Sequence, residues 1–163
     1  QDRLVAIEKH PEEAALLRGV LAPWRRASVE EADGYARLPK LLPPPERRGL
    51  ILIDPPFEAP DEFARLAAAL RAAHRRFATG IALVWYPIKA QGDAEAFVGE
   101  VLSGGAASAL TVEIAIDAPE DRLSRSGFLV LTPPYGFEED MAAVLVRLEL
   151  ALAARTRLER RAG

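Results

Sequence analysis

The chain has 163 residues, of which half are hydrophobic and 28% are charged, as expected for one folded domain and not for a disordered tail. It contains no cysteine, which excludes disulfides, thiolate metal sites and cysteine nucleophiles. The formal net charge of −3 argues against a protein that coats nucleic acid. Since no apolar run reaches the ~18 residues that a membrane span needs, we expect a cytoplasmic protein without a membrane segment.

Hydrophobic patterns predict strands and helices that alternate along most of the chain. Short apolar runs that end at a turn indicate strands, and apolar residues that recur every three or four positions indicate helices. The predicted strands cover 4–7, 27–30, 50–53, 81–85, 110–116 and 127–132. The predicted helices cover 11–21, a short segment that ends at 41, 61–77, 93–102 and 137–158.

This alternation predicts an α/β fold, a three-layer sandwich with a mostly parallel sheet. The last two predicted strands follow each other without a helix, which indicates an antiparallel hairpin at one edge. Residues 1–163 show no repeat or linker and are predicted to be part of a single domain. Ligands of such sheets bind beyond the carboxyl ends of the strands. Glu8, Asp33 with Gly34, and Asp54 follow strands in this way, and we expect them to meet at one edge.

The segment Asp54-Pro55-Pro56-Phe57 directly follows the most apolar predicted strand. The Asp54 carboxylate and the Pro55 carbonyl could accept the two N–H groups of an exocyclic amine on a base, so that its lone pair points at an electrophilic methyl group. Asp54 could also take the proton that methylation releases. The prolines stiffen the loop, and the Phe57 ring offers a flat face to a base that has left its stack. The alternative hypothesis is a plain turn.

A second segment of this kind, Thr132-Pro133-Pro134-Tyr135, follows the last predicted strand. It has no acidic or amide side chain that could accept an N–H group. We interpret it as a structural turn that could help to wall a base pocket.

Two further polar features follow predicted strands. Glu8 is either a carboxylate that accepts two ribose hydroxyls or an exposed acid before a helix. Asp33 with Gly34 either brackets an adenine ring or forms an ordinary turn. The two histidines, His10 and His74, are isolated from each other in sequence, and we predict that no metal is bound.

Positive charge in this chain is nearly all arginine, and it is clustered. Such clusters either bind phosphates or form solvated surface. The clusters are Arg25 with Arg26, Arg47 with Arg48, Arg75 with Arg76, and the group of Arg155, Arg157, Arg160 and Arg161.

The segment 47–58, which contains the apolar strand and Asp54, resembles the catalytic segment of the RlmJ family. Members of this family are bacterial methyltransferases that act on N6 of an adenine in 23S ribosomal RNA. The resemblance runs in order over essentially the whole chain. The other matching segments are Glu8-Lys9-His10-Pro11, Ala32-Asp33-Gly34-Tyr35, Arg76-Phe77-Ala78-Thr79-Gly80, Trp85-Tyr86-Pro87 and Ser126-Gly127-Phe128.

The resemblance implies a class I, Rossmann-like methyltransferase that uses S-adenosylmethionine (SAM). It further implies a monomeric enzyme with protein-free 23S ribosomal RNA as its substrate. An older label of the family concerns the use of external DNA as a nutrient. The implied catalytic residues are Asp54, Pro55, Pro56 and Phe57, and the implied cofactor-binding residues are Glu8, Asp33, Gly34 and Asp54.

The chain departs from the family pattern in two ways. Phe57 stands where the family more often has tyrosine, which keeps the ring face and loses the hydroxyl. The family's first strand, its glycine-rich SAM loop and an inserted helical subdomain have no counterpart here, and that strand would lie between those that begin at Leu4 and Leu50. We therefore predict that residues 1–163 alone neither bind SAM well nor catalyse. Tight SAM binding by this fragment in a calorimetric titration would contradict that.

Other hypotheses stay open at this point. Enzymes that methylate N2 of guanine in 16S ribosomal RNA also carry Asp-Pro-Pro-Phe, and DNA adenine methyltransferases share the chemistry. The segments Trp85-Tyr86-Pro87 and Ser126-Gly127-Phe128 favour the adenine family among these. A non-catalytic nucleic-acid-binding or DNA-utilisation protein would account for the arginine clusters. A dinucleotide-dependent oxidoreductase could share Glu8 but would leave the segment at Asp54 unexplained.

Overall fold

The computed structural model describes residues 2–106, 108–119 and 122–162. The chain falls into two compact units, Gln1–Leu42 and Pro43–Gly163. Each unit contains strands that alternate with helices, which confirms the predicted α/β class. Each predicted strand is present, within two residues of its predicted ends.

The first unit is a pair of parallel strands, each followed by a helix. Strand β1 (Leu4–Glu8) and strand β2 (Ala27–Glu31) run side by side, so both end at the same edge. Helix α1 (Pro11–Leu21) begins at a proline, which suits the first turn of a helix. Helix α2 (Gly34–Leu41) begins at a cap in which the Asp33 side chain accepts the Ala36 N–H at 3.1 Å.

The second unit contains one five-stranded sheet with the strand order β3-β4-β6-β5-β7. The strand β3 pairs in parallel with β4, and the other neighbours are antiparallel. The elements in chain order are β3 (Leu50–Ile53), α3 (Glu62–Arg76), β4 (Ile81–Pro87), α4 (Gln91–Leu102), β5 (Ala109–Ala115), β6 (Arg125–Leu131), α5 (Phe137–Leu152) and β7 (Arg155–Arg161).

Helices lie on both faces of this sheet, as a three-layer sandwich requires. On one face, Gln91 of α4 donates to Glu113 of β5 at 3.4 Å. On the other face, the Thr156 hydroxyl of β7 donates to Glu149 of α5 at 2.6 Å. Thr156 is paired with Ile114, the neighbour of Glu113, and successive residues of a strand point to opposite faces. The three-layer prediction is therefore confirmed for this unit.

The predicted mostly parallel sheet is not what the described residues form. Two strand pairings are parallel and three are antiparallel, so the strands are mixed in direction. The predicted hairpin of β5 and β6 is present, but it lies inside the sheet, with β6 next to β4 and β7 next to β5. Residues 109–113 of β5 are buried, because the strand has a neighbour on each side and the sheet has a helix on each face.

The closing helix is shorter than predicted. It ends at Leu152 and not near residue 158, because Ala153 takes a left-handed conformation with φ 48° that stops the helix. The chain then forms β7, in which Arg157 lies opposite Glu113 and Leu158 lies opposite Val112. Residues 155–161 are therefore a strand and not the last turns of the helix.

Two segments that support the family resemblance are direct neighbours in this sheet. Residues 85–87 of β4 pair with residues 126–128 of β6, and Tyr86 lies opposite Gly127. The Tyr86 ring is completely buried, and a Cβ added at Gly127 would lie 2.5 Å from its ζ carbon. The glycine therefore leaves the space that the tyrosine ring occupies.

Replacing Tyr86 by phenylalanine is expected to leave the protein equally stable, or about 1 kcal/mol more stable, near neutral pH. Within the described residues the buried hydroxyl has no hydrogen-bond partner. Burial, with a contribution from the nearby Glu113 carboxylate, raises the pKa of Tyr86 well above its ordinary value of 10.0.

The raised pKa of Tyr86 determines how the difference in unfolding free energy between the phenylalanine variant and the parent depends on pH. Above pH 10 the unfolded chain loses the phenol proton and the folded chain keeps it, so the free energy of unfolding falls as pH rises. The phenylalanine variant lacks this loss and should gain about 1.4 kcal/mol per pH unit over the parent above pH 10. Urea unfolding from pH 8 to 11 measures this, and parallel curves for the two proteins would contradict it.

Candidate active site

The segment Asp54-Pro55-Pro56-Phe57 lies at the edge of the five-stranded sheet where the parallel strands β3 and β4 end. This edge runs across the strands and is called the carboxyl edge below. Strand β3 ends at Ile53, opposite Val84 of the parallel strand β4. Asp54 is exposed, and among the described residues its carboxylate makes no hydrogen bond or ion pair. Pro55 is buried next to it, which fixes the peptide that carries the Pro55 carbonyl. The arrangement offers an acidic acceptor to solvent on a stiff support.

Phe57 is held in an unusual backbone conformation. Its φ is 51°, in the left-handed region, which for a residue other than glycine costs about 1–3 kcal/mol and persists only when its surroundings impose it. The ring packs against Phe63 of α3 with a centroid distance of 4.9 Å and against Trp85 of β4 at 5.8 Å. Phe63 in turn contacts Phe97 of α4 at 5.1 Å. An aromatic cluster therefore supports the loop that begins at Asp54.

The sequence does not single out these supporting aromatic residues as functional. Trp85 stands out there only as part of a family segment, and Phe63 only as an apolar residue of a helix. What could have identified them as neighbours of the Asp54 loop is their position, at the end of β4 and in the first turn of α3. Both positions lie at the edge of the sheet where Asp54 is found.

The segment Thr132-Pro133-Pro134-Tyr135 lies at the opposite edge of the sheet. Strand β6 is antiparallel to β4, so Leu131 at the end of β6 lies opposite Ala82 near the start of β4. The Thr132 hydroxyl donates to the Ala78 carbonyl at 3.2 Å. The suggestion that this segment walls a base pocket beside Asp54 is therefore wrong, and the contact with Ala78 is that of a structural turn.

In the first unit, Glu8 and Asp33 lie at one edge of the β1–β2 pair. The Glu8 carboxylate accepts the backbone N–H of His10 at 2.7 Å, and the Glu8 carbonyl accepts the N–H of Ala32 at 3.0 Å. Next to Asp33, a Cβ added at Gly34 would meet nothing within 4 Å. Two acidic side chains and a glycine with free space beside its Cα thus lie at this edge. That they meet the edge of Asp54 stays a prediction.

The described part of the chain contains neither a metal cluster nor a membrane helix. In residues 2–106, 108–119 and 122–162, no three His, Asp or Glu side chains are grouped as metal ligands would be. No helix in those ranges is both long enough and apolar enough to span a bilayer.

Comparisons with known proteins identify relatives of the chain. Residues 1–161 match the family described as ribosomal RNA large subunit methyltransferase D, RlmJ. The chain is 37% identical over 147 residues to ribosomal RNA large subunit methyltransferase J of Escherichia coli strain K12, covering 89% of this chain and 52% of the relative. The protein of the same name from Haemophilus influenzae is 32% identical over 154 residues, with coverages of 93% and 55%.

A solved structure is similar over almost the whole chain. It is that of protein LPL1258 from Legionella pneumophila, with 31% identity and a TM-score of 0.90. The match covers 98% of this chain and 61% of that protein. The chain spans about half the length of the curated relatives it matches. With the family match over residues 1–161, these likenesses show that the chain belongs to the RlmJ family of ribosomal RNA large subunit methyltransferases.

Proposed function

We propose that the protein containing this chain transfers a methyl group from SAM to the exocyclic N6 of an adenine in 23S ribosomal RNA. The observation that carries the proposal is the exposed carboxylate of Asp54, which directly follows strand β3 and stands three residues before Phe57. The names of the two curated relatives, both large subunit methyltransferases, support ribosomal RNA as the substrate.

The Asp54 loop supplies the groups that such a reaction needs. An exocyclic amine is a poor nucleophile because its lone pair is delocalised into the ring. The Asp54 carboxylate and the Pro55 carbonyl each accept one N–H group of the amine and so turn the lone pair out of conjugation. Asp54 then accepts the proton that the methylated nitrogen releases. Positioning of this kind contributes a large part of the rate because the reacting atoms are held in line.

The residues of the first unit that we propose for SAM binding are Glu8, Asp33 and Gly34. Bound SAM supplies a methyl group activated by a positively charged sulfur. The chemistry of the donor set fits, since the Glu8 carboxylate can accept ribose hydroxyls and the space beside Gly34 is open. Asp33 also caps α2, so the position of its carboxylate is fixed by the helix.

The proposal is tested with the complete protein, labelled SAM, and protein-free 23S and 16S ribosomal RNA. The methylated nucleoside is identified by chromatography and mass spectrometry after digestion. We expect N6-methyladenosine from the 23S RNA. N2-methylguanosine from the 16S RNA would instead establish the guanine hypothesis with the same amine chemistry. Binding without transfer to either RNA would favour a non-catalytic nucleic-acid-binding protein.

Replacing Phe57 by leucine is expected to lower kcat/KM for RNA about tenfold to a hundredfold, because stacking of a base on an aromatic ring contributes ~1–3 kcal/mol. The matched control is Phe57→Tyr, which keeps the ring and should retain near-parental activity. Steady-state kinetics with SAM and RNA varied separately measure the effect. Parental kcat/KM in the leucine variant would show that Phe57 does not stack on the base.

A further inference from the structure

A cleft in the second unit is lined by three arginine side chains that the proposed reaction does not use. It has a cavity volume of about 350 Å³ and lies between the ends of β5, β6 and β7. Its charged lining consists of Arg125, Arg155 and Arg157 against one carboxylate, that of Glu113. Among the residues that line the cleft, arginines therefore outnumber the single carboxylate.

The cleft lies at the same edge of the sheet as Asp54. Strands β3 and β4 end at this edge, and Pro87 at the end of β4 lies opposite Ser126. Strand β6 therefore begins here, β5 ends here, and Arg155 at the start of β7 lies opposite Ala115 at the end of β5. The cleft lies at β5 and β7, which are three and four strand spacings away from β3. Since neighbouring strands are ~4.8 Å apart, the cleft is roughly 15–20 Å from the Asp54 loop.

One of the three arginines is held in place from within the sheet. Arg125 donates a hydrogen bond to Gln91 of α4, and its guanidinium lies 3.8 Å from the carboxylate of Glu113. Glu113 is only 8% exposed and also accepts from Gln91. Its negative charge is therefore compensated locally, and Arg125 is fixed at the wall of the cleft.

The other two arginines have partners that a ligand can replace. Arg155 pairs with Asp117 at 3.4 Å, and both side chains are more than three-quarters exposed. Arg157 pairs with Glu159, two residues along the same strand, at 2.6 Å. Exposed ion pairs of this kind contribute little free energy. A phosphate group can accept two parallel N–H bonds from a guanidinium, which makes it a stronger partner in this setting.

We infer that this cleft, formed by Arg125, Arg155 and Arg157, binds a backbone phosphate of the RNA strand that carries the target adenine. The inference rests on the proposed function, because it takes the base at Asp54 as its reference point. A single strand that leaves this base along the carboxyl edge of the sheet reaches the cleft within a few nucleotides. The cleft would therefore fix the direction of the strand and add affinity without reading sequence.

The inference is tested by the double variant Arg155→Gln/Arg157→Gln of the complete protein. The matched control is Arg75→Gln/Arg76→Gln, which removes the same charge at the end of α3, just before β4 begins at the opposite edge. The dissociation constant for protein-free 23S RNA is measured over a series of salt concentrations. The KM for SAM and the kcat are measured separately.

We expect the cleft variant to bind RNA about tenfold more weakly at ~0.1 M salt, with a salt dependence of log K reduced by ~0.7 for each phosphate that the protein no longer neutralises. Its KM for SAM should be unchanged, and the control should stay within about twofold of the parent. The variant Arg155→Lys/Arg157→Lys keeps the charge and should retain most of the salt dependence. That result would separate loss of charge from loss of folding.

RNA affinity and salt dependence equal to those of the control variant would overturn the inference. The proposed function fails by a different measurement, namely absence of methyl transfer by the parent protein to any RNA that it binds. That outcome would also remove the reference point at Asp54 and with it the assignment of the phosphate to the target strand.

Discussion

Replacing Asp54 by alanine in the complete protein is expected to lower kcat for methyl transfer about a thousandfold. The substitution removes both the acceptor that orients the amine and the group that takes its proton, and general base catalysis alone contributes ~10²–10⁴. The dissociation constant for RNA should change much less than kcat, since Phe57 and the rest of the loop remain. Single-turnover transfer of labelled methyl, with binding measured in parallel, gives these quantities.

Two further variants separate the roles of Asp54. Asp54→Asn keeps an oxygen that accepts an N–H but removes the charge, so it should retain more activity than the alanine variant. Glu58→Ala removes an exposed acid from the same loop and should leave kcat near the parental value. If Glu58→Ala were as damaging as Asp54→Ala, the loss would reflect charge or loop structure and not an acceptor at Asp54.

Replacing Gly127 by alanine is expected to lower the free energy of unfolding by about 3 kcal/mol. The new methyl group would lie 2.5 Å from the buried Tyr86 ring, which is closer than packed atoms approach, so β4 and β6 would have to separate. Chemical unfolding followed by circular dichroism measures the change.

The control for Gly127 is Gly99, an exposed position inside α4 where an added Cβ would meet nothing within 4 Å. There alanine should stabilise the helix by up to about 1 kcal/mol. An unfolding free energy of Gly127→Ala equal to that of the parent would show that the Tyr86 ring can move away without loss.

The location of Asp54 could be predicted from sequence because it depends on local features. Four apolar residues stopped by Asp-Pro-Pro indicate a strand that ends there, and the structure has β3 at Leu50–Ile53. The edge shared by Glu8 and Asp33 follows equally from two short strands that each precede a helix.

Features that depend on non-local pairing could not be predicted in this way. The edge at which Thr132-Pro133-Pro134-Tyr135 lies follows from the antiparallel direction of β6. The same holds for β7, whose residues 155–158 are predicted to continue the closing helix but form a strand because β5 lies beside them. The exposure of Leu50 and Leu52, each 66%, is likewise not what a strand of four apolar residues leads one to expect.

The left-handed backbone of Phe57 is a third kind of feature that sequence alone does not reveal. A non-glycine residue gives no local signal for positive φ, and the conformation depends on contacts with Phe63 and Trp85 from two other elements. Aromatic residues at the ends of neighbouring elements are therefore the pattern to look for beside an Asp-Pro-Pro loop.

The most direct test of the proposed function is a nucleoside analysis of 23S ribosomal RNA from a bacterium that lacks its own RlmJ-type enzyme. The strain is supplied with the complete protein or with its Asp54→Ala variant, expressed at equal levels. We expect one additional N6-methyladenosine in 23S RNA with the parent protein and none with the variant. The same modification from the variant, or a different methylated nucleoside from the parent, would contradict the role proposed for Asp54.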